Sequence, residues 1–116
     1  MPHLIVRQPD RVAFSVELRE GISVGRHEQN AIVLDDAKVS RQHASFRSAR
    51  GRWSVQDLGS THGTFVNGVR VVGARELLDG DRVQVGQVLL AFVESDDRAS
   101  ELVHQKTAAG APSRDG

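Results

Sequence analysis

Three short stretches of this sequence combine arginine, hydroxyl and glycine residues in a way that suits phosphate binding. They are Gly25-Arg26, Val39-Ser40-Arg41-Gln42-His43-Ala44 and Asp57-Leu58-Gly59-Ser60-Thr61-His62-Gly63-Thr64. Arginine offers a planar charged fork of donors, serine and threonine offer neutral donors, and glycine lets backbone amides approach a ligand closely. If the three stretches meet in space, they form a site for a phosphate dianion.

The elements that would bring these stretches together are β-strands. Apolar residues recur at every second position over most of residues 1–95, and turn residues interrupt the pattern often. The even-numbered residues from Val12 to Leu18 are predicted to face one way. Val88 to Val93, apolar on both faces, predicts a central strand covered on both sides, and Asn67-Gly68 predicts a tight hairpin. We therefore expect an all-β sandwich of about eleven short, mainly antiparallel strands.

A chain of 116 residues, 39% of them apolar, has room for one domain and a tail. We expect the domain at residues 1–95. Residues 96–116 hold too few large apolar groups to offset the entropy of ordering them, so a flexible tail or linker is predicted there. A further domain fused after residue 116 is possible. Thr107 lies in this tail, and phosphorylation there would let the tail fold back into the site.

The charge balance excludes several classes of partner. Fifteen basic and fifteen acidic residues cancel, so no global field would draw the chain onto nucleic acid or a membrane, and any anion must be held by a local cluster. There is no cysteine, which excludes disulfides and thiolate metal sites. The N-terminus lacks a signal-peptide core and no apolar run is long enough to span a membrane. We expect a cytoplasmic protein without a cofactor.

The order of the motifs resembles the forkhead-associated (FHA) domain, a phosphothreonine-binding β-sandwich. The matching elements are Gly-Arg, Asn-x-Ile-x-Leu, Val-Ser-Arg-x-His-Ala and Trp-x-Val-x-Asp-Leu-Gly-Ser-Thr-x-Gly-Thr-x-Val-Asn-Gly, which run from Gly25 to Gly68. With the flanking strands, the resemblance covers about residues 1–95. It implies a non-enzymatic module that binds a phosphothreonine protein made by an upstream serine/threonine kinase.

The resemblance also implies a role for individual residues. Arg26, Ser40 and Thr61 correspond to the family's phosphate-binding residues, with Arg41 as a more variable contact. The remaining family positions are expected to support the loops or the hairpin, and these are Gly25, His43, Gly59, Ser60, Gly63, Asn67 and Gly68.

Two further residues are predicted to contact the peptide. The family usually has asparagine after Thr61, where its amide grips the peptide main chain, and this chain has His62 instead. We expect His62 to take over that contact, and to make binding pH-sensitive because imidazole changes charge in the physiological range. Lys38 lies two residues before Ser40, so in extended backbone both side chains lean the same way. It would meet an acidic residue a few positions after the phosphothreonine.

Three alternatives remain beside this interpretation. Ser40, His43 and Asp57 could form a hydrolase triad, but no nucleophile elbow precedes a helix. Metal binding by His27, His43 and His62 is weakly supported, because three scattered histidines without carboxylates at metal-ligand spacing are common by chance. The serious competitor is a phosphate-independent docking or oligomerisation module on the same fold.

Overall fold

The computed structural model describes residues 1–95 and arranges them in two β-sheets packed face to face. This part of the chain contains eleven strands and no helix, which confirms the predicted all-β sandwich. The predicted tail at 96–116, with Thr107, lies outside the described residues. The strands are β1 (His3–Arg7), β2 (Phe14–Glu17), β3 (Ile22–Gly25), β4 (Ile32–Val33), β5 (Ala44–Ala49), β6 (Arg52–Asp57), β7 (Thr64–Val66), β8 (Val69–Arg70), β9 (Ala74–Glu76), β10 (Arg82–Val85) and β11 (Val88–Val93).

The two sheets interleave the strands along the chain. One sheet has six strands in the order β2-β1-β11-β10-β7-β8, and the other has five in the order β4-β3-β5-β6-β9. Neighbouring strands are antiparallel except β3 and β4, which are parallel. Because β3, β5, β6 and β7 all begin or end at the same tip of the sandwich, the loops after β3, before β5 and after β6 share that tip.

The core lies between the sheets and is apolar. In the six-stranded sheet, β1 pairs with β11 so that Leu4 lies opposite Phe92 and Val6 opposite Leu90. Their side chains are fully or almost fully buried, and in the other sheet Phe46 is also fully buried. Burial of each such side chain stabilises the fold by about 1.5–3 kcal/mol. This packing holds the two sheets, and therefore the loops at their tip, in a fixed relation.

Two details of the predicted strand pattern are wrong. The strand β2 begins only at Phe14, so Val12 lies in the preceding turn and is 66% exposed, while Ala13 is buried instead. Phe14 is 41% exposed because β2 is an edge strand with a neighbour on one side only. The strand β11 is central as predicted, but its outward face is not completely covered, since Leu89 is 39% exposed.

The turn between β7 and β8 has the conformation that its residues favour. Asn67 and Gly68 have φ values of 50° and 84°, as a type I′ turn requires. The Asn67 side chain also accepts a hydrogen bond from the backbone N–H of Arg82 and donates one to Asp81, both at 3.0 Å. Within the described residues, no helix is long or apolar enough to cross a membrane.

Candidate functional site

Three loops at one tip of the sandwich line an open cavity of about 550 Å³. We call them loop A (residues 26–31, between β3 and β4), loop B (residues 34–43, between β4 and β5) and loop C (residues 58–63, between β6 and β7). Each loop contributes three lining residues, which are Arg26, His27 and Gln29 from loop A, Ser40, Arg41 and Gln42 from loop B, and Leu58, Gly59 and Thr61 from loop C. The structure thus brings together the cationic, hydroxyl and glycine stretches of the sequence.

Loops A and B are joined by hydrogen bonds to main-chain carbonyls. The backbone N–H of Arg26 donates to Ser40 O at 3.0 Å, and that of His27 donates to Arg41 O at 3.2 Å. The Arg26 side chain takes part through Nε, which donates to Val39 O at 2.6 Å. This contact fixes the guanidinium beside Ser40 and leaves both of its Nη groups for a ligand.

Gly25 is required for this close approach of the two loops. A Cβ atom at this position would overlap the carbonyl oxygen of Arg41 and would crowd the side chain of Asn30. The Asn30 amide donates to that same carbonyl at 2.7 Å and to His27 O at 2.8 Å. The predicted supporting role of Gly25 therefore has a steric basis, since its φ is not in the left-handed region.

His43 connects loop B to loop C. Its ring is fully buried, and Nδ1 accepts a hydrogen bond from the backbone N–H of Ser40 at 3.0 Å. Because a backbone N–H can only donate, the ring hydrogen must be on Nε2, which donates to Gly63 O at 2.8 Å. Both ring nitrogens are therefore engaged with backbone groups, and the histidine fixes Ser40 relative to loop C.

The hydroxyl of Ser40 meets loop C at Thr61. Ser40 Oγ accepts a hydrogen bond from the backbone N–H of Thr61 at 3.0 Å. Since the hydroxyl is the acceptor in this contact, its own hydrogen is free to point to a ligand. The Ser40 and Thr61 hydroxyls and the Arg26 guanidinium thus border the same cavity.

Asp57, the last residue of β6, organises loop C. Its carboxylate accepts hydrogen bonds from the hydroxyls of Ser60 and Thr64, at 2.5 and 2.7 Å, and from the backbone N–H groups of Gly59 and Ser60, both at 3.0 Å. Burial alone would raise the pKa of Asp57, but these hydrogen bonds outweigh it and hold the pKa below its ordinary value. Ser60 Oγ in turn accepts from the backbone N–H of Gly63 at 2.9 Å.

The two glycines of loop C adopt conformations that other residues rarely reach. Gly59 and Gly63 have φ values of 79° and 90°. Gly63 also lies under the guanidinium of Arg70, which a Cβ atom there would approach to 3.1 Å. Asn67 and Gly68 lie at the far end of β7 from loop C and do not line the cavity.

The two residues predicted to contact the peptide do not line the cavity. His62 is exposed on loop C. Lys38 borders a second cavity of about 490 Å³ together with Asp36 and Gln87. The backbone is not extended there, because Val39 N donates to Asp36 O and Lys38 N donates to the Asp36 carboxylate. The expectation that Lys38 and Ser40 lean the same way is therefore wrong.

Sequence reasoning missed four residues that line the cavity. They are His27, Gln29, Gln42 and Leu58. The one feature of the sequence that could have indicated them is their position close to Arg26, Ser40 and Gly59 in the chain. Nothing in the pattern, however, indicates which side of a loop a neighbouring side chain occupies.

The structure also bears on the alternatives. The Ser–His–Asp relay is not formed, because His43 uses both ring nitrogens for backbone groups and Asp57 accepts from the hydroxyls of Ser60 and Thr64. Among residues 1–95, no group of three or more histidine, aspartate or glutamate side chains is placed to hold a metal ion.

Comparison with known proteins gives one family and several relatives. The family model described as FHA domain matches residues 22–86. The chain is 47% identical over 81 residues to the glycogen accumulation regulator GarA of Mycolicibacterium smegmatis, covering 67% of this chain and 51% of that protein. It is 41% identical over 92 residues to the oxoglutarate dehydrogenase inhibitor of Corynebacterium diphtheriae, covering 78% and 63%. The match thus spans between about half and two thirds of these relatives.

The fold is similar to solved structures as well. Mycobacterium tuberculosis EmbR, solved in complex with a low-affinity phosphopeptide, superposes with a TM-score of 0.71 at 30% identity. The superposition covers 81% of this chain and 24% of EmbR. The relatives that resemble this chain are thus described as regulators, an inhibitor and a phosphopeptide-binding protein.

Proposed function

This chain belongs to the FHA domain family, and on that basis we propose that it binds a partner protein through a phosphothreonine, as a module of serine/threonine kinase signalling. The observation that carries the proposal is the meeting of Arg26, Ser40 and Thr61 at one cavity. Phosphothreonine brings close to two negative charges and three acceptor oxygens. A charged fork and two hydroxyls supply matching donors.

Each phosphate-binding residue has a distinct part in this proposal. The free Nη groups of Arg26 give a bidentate contact to two phosphate oxygens, while the Ser40 and Thr61 hydroxyls donate to the phosphate from loops B and C. Arg41 is exposed at the cavity and, within residues 1–95, has no carboxylate partner. It would therefore add a contact at the rim. Threonine would be preferred over serine because filling the space of one methyl group contributes about 1 kcal/mol.

Contacts to the rest of the peptide would be made by His62 and Lys38. His62 is exposed next to Thr61 in loop C and would bind the peptide main chain. Lys38 lines the second cavity and not the one bordered by Arg26, Ser40 and Thr61, so it would meet an acidic residue of the peptide only where the peptide runs past loop B. These two contacts would set sequence preference, whereas the phosphate contacts would set the requirement for phosphorylation.

The proposed role requires an upstream serine/threonine kinase and no catalytic step by this chain. Because such a kinase uses ATP, its substrate would be phosphorylated in the cytoplasm, and we place this chain there as well. The names of the two relatives describe regulators of metabolism. Regulation of a metabolic protein is accordingly the consequence of binding that we propose.

The test compares binding of a degenerate phosphothreonine peptide pool with that of its unphosphorylated counterpart. The wild-type chain should retain only the phosphorylated pool, while Arg26→Ala and Ser40→Ala should abolish the difference. Arg50→Ala is the matched control, because Arg50 is exposed in the turn between β5 and β6 at the opposite tip of the sandwich. Equal retention of both pools by the wild-type chain would instead establish the phosphate-independent docking module.

A further inference from the structure

His27 is a cavity residue whose main chain is held on several sides. Its N–H donates to Arg41 O at 3.2 Å, and its carbonyl accepts from the backbone and side-chain N–H groups of Asn30 at 3.0 and 2.8 Å. The ring lines the same cavity as Arg26, Ser40 and Arg41. Its position relative to the phosphate-binding residues is therefore fixed by the loop before any ligand arrives.

The hydrogen-bonding state of the His27 ring is also fixed. Nδ1 accepts a hydrogen bond from the backbone N–H of Gln29 at 3.1 Å. As this amide can only donate, Nδ1 carries the lone pair and the ring hydrogen lies on Nε2. In the part of the chain that the structure describes, Nε2 has no hydrogen-bond partner. His27, a residue that lines the cavity, thus carries an oriented donor that the fold itself does not use.

We propose that the Nε2–H group of His27 donates a hydrogen bond to an oxygen of the bound phosphothreonine peptide. The inference rests on the proposed function and deepens it by adding a recognition residue. Phosphate oxygens and main-chain carbonyls share the required acceptor chemistry. A donor held in place before binding loses little conformational entropy, so it contributes to affinity and not only to loop structure.

The competing explanation is that His27 serves only to cap the turn of loop A through Nδ1. Two substitutions test the donor role of Nε2 and the acceptor role of Nδ1 separately. Glutamine places an amide N–H near the position of Nε2, whereas asparagine places an oxygen near Nδ1, where it can still accept from Gln29 N–H but cannot reach the ligand. His27→Gln therefore keeps the proposed donor, and His27→Asn keeps the cap.

The experiment measures the dissociation constant of one peptide selected from the phosphothreonine pool for the wild-type chain and both variants. We expect His27→Gln to bind within about threefold of wild type and His27→Asn to bind about tenfold or more weakly, as the loss of a hydrogen bond to a charged or strongly polar acceptor implies. The reverse order, or equal binding by both variants, would overturn the inference. Thermal unfolding of each variant checks that loop A remains folded.

A second arm identifies the acceptor by titrating phosphothreonine as the free amino acid. A loss in His27→Asn with both ligands places the acceptor on the phosphate, and a loss with the peptide alone places it on the main chain; each outcome supports the donor role. Binding of the unphosphorylated peptide shows whether a negative result contradicts the proposed function or only the role of His27. If wild type binds it equally well, the proposed function and this inference both fail. If wild type discriminates and the variants bind alike, the inference alone fails.

Discussion

At the scale of the residue, the two arginines at the cavity are not equivalent. Arg26 already donates from Nε to Val39 O at 2.6 Å, so its guanidinium is held in place before binding. Both side chains are exposed, but no hydrogen bond or ion pair holds the Arg41 side chain among residues 1–95. Ordering a long side chain costs about 0.5–1.5 kcal/mol on binding. Arg26 should therefore contribute more to phosphate affinity than Arg41, although both carry the same charge.

Arginine-to-lysine substitutions test this difference while keeping the charge. We expect Arg26→Lys to raise the dissociation constant of a phosphothreonine peptide about tenfold or more, because lysine cannot contact Val39 O and two phosphate oxygens together. Arg41→Lys should raise it less than about threefold, as for an exposed charge. Isothermal titration calorimetry measures both, with Arg50→Lys as the control. An equal or larger effect at Arg41 would contradict the assignment.

Some residues of the site could be predicted from the sequence and others could not. Arg26, Ser40 and Thr61 were identified by motif, and the structure places them at one cavity. The prediction that Lys38 leans the same way as Ser40 requires an extended backbone, and it is wrong because Asp36 turns the chain there. His27 was missed because the orientation of a loop side chain depends on contacts with Gln29 and Asn30, which no periodicity encodes.

At the scale of the element, the three loops behave as one unit because hydrogen bonds cross-link them. His43 joins loops B and C, and the main-chain contacts of Arg26 and His27 join loops A and B. The central strands were predictable, since alternation reports which face is buried. The edge strand β2 was not, because an edge leaves apolar residues such as Phe14 partly exposed and the pattern cannot show where pairing begins.

The carboxylate of Asp57 makes the stability of loop C depend on pH. A pKa that is lower in the folded than in the unfolded chain stabilises the fold above the unfolded value, and that contribution is lost as pH falls through the folded value. The ordinary value is 3.8 and the shift is downward, so the loss occurs below about pH 4. Glu20 contributes with the same sign, because the backbone and hydroxyl of Ser48 donate to it and lower its pKa.

Asp57→Asn should lower the free energy of unfolding by about 2 kcal/mol at pH 7, because hydrogen bonds to a charged acceptor are lost. The difference from wild type should shrink as the pH falls below about 4, where the wild-type carboxylate becomes protonated. Urea unfolding at a series of pH values measures both effects. Asp35→Asn is the control, since the 3.8 Å ion pair of Asp35 with Arg11 is solvent-exposed and of little energetic weight. A difference that does not change with pH would show that Asp57 acts only through packing.

At the scale of the whole molecule, positive and negative charges balance, whereas two arginines give the cavity a local positive charge. Fifteen basic and fifteen acidic residues give a net charge of zero, yet Arg26 and Arg41 border the same cavity. A molecule with no net charge has only a weak long-range field to accelerate the approach of a phosphopeptide. Short-range contacts made after encounter must therefore supply the electrostatic part of the affinity, and salt should act mainly on those contacts.

This separation predicts how salt changes the kinetics. Between 50 and 500 mM NaCl we expect the association rate constant to change less than about threefold, because long-range steering is weak, and the dissociation rate constant to rise about fivefold, because ions screen the partly exposed contact. Surface plasmon resonance with a phosphothreonine peptide measures both constants. Arg26→Ala should make the dissociation rate constant less dependent on salt, while Arg50→Ala should leave its salt dependence unchanged. A salt response confined to association would mean that the charge distribution of the whole chain, and not the cavity, governs recognition.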